Sequence, residues 1–198
     1  MSVLITFLVA IWRRIARWGG GTQVVPDNPV DYLVRAPDRP SGCGARADAI
    51  PTAHTPPGGY KRFPPRILAG CAEPPAAGAP DLRGVWRVYR GLLAGHVERV
   101  EQCGDRVVIT GGGVVHDMVA DGVLAHGVHD VSAATGRPIE VAAEFRDGRL
   151  DLRPNGGRAV AVSRWRDGDD MVWRVGPFVQ RLRRMDGPQD ARGVASPG

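Results

Sequence analysis

The sequence predicts an all-β fold: an antiparallel up-and-down barrel of eight or nine strands, with a short N-terminal helix and a Pro-rich arm before it. Two observations carry this. After Pro80, turn dipeptides recur at short spacing: Gly104-Asp105, Asp121-Gly122, Thr135-Gly136, Asp147-Gly148, Asn155-Gly156 and Asp167-Gly168. Between them lie valine-rich runs that alternate with period two, which is the signature of a strand with one buried face.

Each run can be placed in order. Strands are expected near 84–91, 95–103, 105–110, 113–119, 122–131, 138–146, 148–153, 158–166 and 170–184, the last broken at Pro177. Ile139, Val141, Ala143 and Phe145 alternate with Glu140, Ala142 and Glu144. Phe178, Gln180 and Leu182 alternate with Val179, Arg181 and Arg183. Two-residue Asp-Gly and Asn-Gly loops favour tight hairpins, because both central residues take positive φ. Strands joined only by such turns are antiparallel neighbours. A meander of this size closes most economically into a barrel, which removes its unpaired edges.

Composition fits one compact unit. The chain has 198 residues, 43% of them apolar and 24% charged, which excludes wholesale disorder. Residues 1–80 carry a net charge of +4 and residues 81–186 only +1. The folded half is therefore nearly neutral, and it has neither a basic helix nor zinc-finger spacing, so nucleic acid is not an expected partner. The organisation reads as a helix over 1–18, an arm over 19–80, the barrel over 81–186 and a tail over 187–198.

Ser2 to Trp12 is an apolar run broken only by Thr6, and Arg13, Arg14 and Arg17 follow it. Eleven residues are too few to span a bilayer, and the charge order is reversed for a secretory signal. Peripheral contact with a membrane and docking on the barrel both remain open for this segment. Twelve of the seventeen prolines fall between Gly19 and Pro80. Such a stretch holds neither long helices nor central strands. Its island Tyr60 to Leu68 must bury Tyr60, Phe63, Ile67 and Leu68 against something. Because Glu140, Glu144, Asp151 and Arg153 mark the outer barrel wall as charged, the island is expected to lie over the barrel mouth as a lid. The three cysteines, Cys43, Cys71 and Cys103, form no C-x-x-C, and reduced thiols in a cytoplasmic setting are expected.

At the start of the first strand stands Asp81-Leu82-Arg83-Gly84-Val85-Trp86. A Gly-x-Trp before a series of hairpins resembles the lipocalin or calycin superfamily, over about half of the chain. The resemblance implies that Trp86, beside Gly84, plugs one end of the barrel and that an arginine of the final strand, Arg181 or Arg183, covers it.

Four histidines, His96, His116, His126 and His129, fall close together. By strand parity His116 shares a face with Val114 and Met118, and His129 with Val123, Ala125, Gly127 and Val131, so both are expected to face the interior. The inward set is then His116, Met118, His129, Phe145, Trp173 and Phe178. No nucleophile elbow or phosphate loop is present, and no catalytic or metal-ligating residue is assigned. The leading expectation is a small-molecule binding protein that holds an apolar or amphipathic ligand in its barrel. Two alternatives stand beside it. One is a haem-binding or acid–base, isomerase-like barrel that uses His116 and His129; the calycin resemblance includes nitrobindin-like proteins that bind haem. The other is a filled structural barrel whose arm recruits a partner or a membrane.

Overall fold

The computed structural model of the chain describes residues 44–187, together with Pro26, Asp27, Tyr32 and Asp190. The helix expected over 1–18 and nearly all of the tail lie outside the described residues. Helix among the described elements is confined to short 3-10 turns such as Ala47–Ala49 and Leu124–His126. No helix among the described residues is long and apolar enough to cross a membrane.

The barrel has ten strands rather than eight or nine: β1 (Gly84–Arg90), β2 (Val97–Cys103), β3 (Arg106–Gly111), β4 (Val114–Val119), β5 (Val128–Val131), β6 (Pro138–Arg146), β7 (Arg149–Pro154), β8 (Val162–Asp167), β9 (Asp170–Val175) and β10 (Phe178–Met185). The tenth arises where Gly176-Pro177 turns the last expected strand back on itself, so that Phe178 pairs with Val175. The ladders between the ten strands are all antiparallel and join sequence neighbours, and β1 also pairs with β10, giving the order β4-β3-β2-β1-β10-β9-β8-β7-β6-β5. Among the described residues, Asp147 and Asn155 are the two non-glycine residues with positive φ, at 50° and 53°. Both open the Asp-Gly and Asn-Gly turns that the hairpin reading requires.

The sheet is nearly closed. Its end strands β4 and β5 share no ladder. One end of this seam is held by β6, where Gly122 N–H donates to Ala143 O at 2.7 Å and Phe145 N–H to Ala120 O at 3.2 Å. The rest is held by side chains and by the arm. The Thr55 hydroxyl accepts from Val115 N–H at 3.0 Å, satisfying an exposed edge of β4. Thr55 N–H in turn donates to the Asp130 carboxylate of β5 at 2.8 Å.

The arm does not cover the mouth. Leu68, Ile67, Tyr60, Ile50 and Ala53 pack on Val108, Val115 and Cys103, which point outward from β2–β4. Phe63 joins Tyr32, Val85, Val97 and Met185 on the same wall. The lid expectation is thereby overturned, and the reason is physical. The outer charges used to argue for it belong to β6 and β7, on the other side of the barrel. The outer face of β2–β4 is apolar at Val97, Val108 and Val115, and its charges are matched by the arm. Arg106 pairs with Asp117 at 2.7 Å and donates to the carbonyls of Ala47, Ile50 and Pro51. Glu101 accepts from the backbone N–H groups of Ile67 and Leu68, and Arg99 donates to the carbonyls of Pro64 and Pro65.

A covalent link completes this contact. Cys71 of the arm and Cys103 of β2 form a disulfide, with their Cα atoms 5.9 Å apart. The expectation of reduced thiols is corrected for these two residues; Cys43 lies outside the described residues. The absence of C-x-x-C could not exclude a pair 32 residues apart, brought together only by the docking of the arm.

Candidate functional site

The barrel interior has two unlike ends. At the N-terminal end of β1, Trp86 is fully buried, and its indole N–H donates to Leu82 O at 2.8 Å. The guanidinium groups of Arg166 and Arg184 each lie 4.9 Å from the centre of its ring. Trp86 is thus a core aromatic flanked by two arginines, and these are not Arg181 or Arg183. Those two alternate outward: Arg181 pairs with Asp167, and Arg183 lies over Tyr89. The alternation Phe178, Gln180, Leu182 already put Arg184, not its odd-numbered neighbours, on the inner face. Leu82, Val88, Val100, Leu150, Met171 and Leu182 fill the space around Trp86.

The other half of the interior is polar. Glu98 of β2, buried, forms an ion pair with Arg164 of β8, and His96 Nε2 lies 3.7 Å from the same carboxylate. Burial pushes the Glu98 carboxyl up, but Arg164 and His96 outweigh it and hold it below the usual carboxylate range. The Arg164 guanidinium stacks 4.3 Å above the Trp173 ring, and the His96 ring centre is 5.7 Å from that of Trp173. Two donors here have no hydrogen-bond partner: Arg164 Nε and Trp173 Nε1. Gln180, also inward, accepts from Leu93 N–H at 3.0 Å.

His116 lies across the seam, its Nε2 3.0 Å from Val131 O. That contact assigns the proton to Nε2 and leaves Nδ1 as an acceptor. Burial lowers its pKa below the usual imidazole value, so it is neutral near pH 7.

The expected inward set is partly assembled. Met118, Phe145 and Trp173 belong to or pack against the interior cluster, and Phe178 stands at the mouth, 38% exposed. His129 is a correction. It lies on the outer face, paired across the strands with Glu140 and with its Nε2 2.8 Å from Leu124 O. The 3-10 turn Leu124–His126 interrupts the strand that parity assumed, so Val128 rather than His129 enters the core. His116 and His129 therefore face opposite ways, and no haem iron or substrate atom can lie between them.

Glu98 and Arg164 escaped the sequence reading, which named His96 and Gln180 without assigning them to a site. Strand β2 carries charges on both faces, Glu98 inward and Arg99 and Glu101 outward, and so showed no contrast to read. The available signal was that both faces of one strand were equally mixed, which fits a strand buried on both sides. No protein-family model matches the chain, and no curated protein matches it in sequence.

Proposed function

We propose that this barrel is a binding protein for a small amphipathic molecule, held in the polar half of the interior. The observation that carries the reading is the pair of unpartnered donors, Arg164 Nε and Trp173 Nε1, on the barrel's inner side. Buried donors normally find acceptors, and a ligand oxygen would supply them. The ligand class is therefore an apolar body with an acceptor group such as a carboxylate, sulfonate or carbonyl. Trp86 and its arginines support a lipocalin-like closure of the opposite end. The acid–base and haem alternatives lose their second histidine with His129. The disulfide favours an oxidising compartment over the cytoplasm.

Titration of the full chain with anilinonaphthalene sulfonate, an apolar ring system bearing an anion, tests this. Saturable, one-to-one fluorescence enhancement is expected. The variant Arg164→Gln, with its melting followed in parallel, should weaken binding by roughly tenfold, the worth of one charged hydrogen bond. Absence of saturable binding, or an unchanged affinity in a folded Arg164→Gln protein, would sink the reading and leave a filled structural barrel.

A further inference from the structure

The two poles of the barrel are chemically opposite on their outside as well. Four connections lie at the Trp86 pole: 104–105, 120–127, 147–148 and 168–169. Every one contains an exposed aspartate, respectively Asp105, Asp121, Asp147 and Asp169. Five connections lie at the open pole: 91–96, 112–113, 132–137, 155–161 and 176–177. None contains an aspartate or glutamate, and two carry exposed arginines, Arg137 and Arg158.

The open pole also exposes large apolar side chains. Leu92 is 46% exposed, Val160 36%, Phe178 38% and Val179 50%. They belong to three contiguous hairpins: Leu93 N–H bonds Gln180 of β10, and Gly176 N–H bonds Ala161 O at 2.9 Å. The arm brings a further exposed cation to this end, where Tyr60 N–H bonds Gly113 O and Lys61 follows. Apolar groups at the tip, cations around them and all turn acids at the far pole orient the molecule in the field of an anionic surface.

We propose that the open pole is a docking surface for an anionic lipid bilayer, on which the barrel stands with its mouth toward the membrane. The proposal draws on none of residues 1–18, and it holds whether or not the interior takes a ligand. Charge complementarity selects the occupant. A second copy of the chain would set cation against cation at this pole, whereas acidic headgroups match Arg137 and Arg158 while the apolar tips enter the interface.

The test is sedimentation of the full chain with phosphatidylcholine vesicles and with equimolar phosphatidylcholine–phosphatidylglycerol vesicles, followed by hydrogen exchange on the bound protein. Binding to the anionic vesicles alone is expected, with exchange slowed at 91–96, 155–161 and 176–179 and unchanged at 147–148 and 168–169. The double variant Leu92→Asp, Phe178→Asp should bind roughly tenfold more weakly or worse, and Arg137→Glu, Arg158→Glu, a change of four charge units, should weaken binding by roughly tenfold at least, since each cation near an anionic surface is worth about 1 kcal/mol. Thermal melting of each variant checks that these exposed positions leave the fold intact. Undiminished binding by folded variants, or protection absent from the open-pole hairpins, would overturn the proposal. A dimer in solution that the Leu92, Phe178 variant dissolves would overturn it in favour of self-association.

Discussion

The walls of this barrel differ in what lies behind them. Strands β2–β4 are largely buried on both faces, with the arm outside and the core inside, and every residue of β2 is buried. Strands β6 and β7 have one face in the core and one toward solvent. The difference explains why β6 reads as a clean alternation in sequence, while β3 and β4 read as near-continuous valine runs, as strands covered on both faces do. It also predicts that outward residues matter only where the arm lies over them.

Arg106 should show the largest effect. It serves Asp117 and three arm carbonyls at once, in a setting where both side chains are nearly closed to solvent. Arg106→Leu would leave the Asp117 carboxylate buried without its cation, at a cost of about 3–5 kcal/mol. Urea unfolding checks it. A loss below 1 kcal/mol, on the order of an exposed ion pair, would show that the arm does not seal this wall.

Reduction comes next. The disulfide closes a loop between residues 71 and 103 and ties the arm to β2. Cys71→Ser with Cys103→Ser should lower stability by about 2–4 kcal/mol on the chain-entropy account. Hydrogen exchange would sharpen the comparison: faster exchange is expected at the outer wall of β2–β4 and little change in β6–β8. Uniform acceleration across both walls would mean that the two halves unfold as one.

A matched pair of valines isolates the arm's contribution. Val108 faces outward beneath the arm, fully buried, whereas Val179 faces outward on β10 and is half exposed. Val108→Ala should cost about 1–3 kcal/mol and Val179→Ala less than about 0.5. Equal effects would erase the distinction between the walls.

The hairpin series, the strand order and the burial of Trp86 were legible because they rest on local signals: turn dipeptides, alternation and one aromatic at the start of a strand. The arm's location was not, because Glu101, Arg99 and Arg106 look like solvent-facing charges until their partners, backbone groups of the arm, are known. The same limit hid the interior cluster. Glu98 and Arg164 are 66 residues apart, and neither shows by itself that the other will neutralise it. His129 failed for a different reason: one 3-10 turn shifts parity, and every later residue of that strand changes face.

The smallest expected effect lies at the seam between the two walls, where His116 of β4 reaches Val131 of β5. Burial is the main cause of its lowered pKa; the Val131 carbonyl and the charges of Asp130 and Glu98 pull the other way, and Arg164 adds to the lowering. A group with a depressed folded pKa keeps its full contribution above the unfolded value, near 6.5 for imidazole. As pH falls below that value the unfolded chain takes up a proton that the folded barrel resists, so stability is lost. Urea midpoints measured from about pH 7.5 down to about pH 5.5 should therefore fall, and they should fall less in His116→Gln, whose amide N–H can still reach Val131 O but does not titrate. Because the Val131 carbonyl is His116's partner across the seam, acid should also speed exchange in β5 before β1 or β10. A pH profile identical in the two proteins would remove His116 as a titrating element of the seam, leaving Thr55, Asp130 and the backbone bonds to β6 as its fastening.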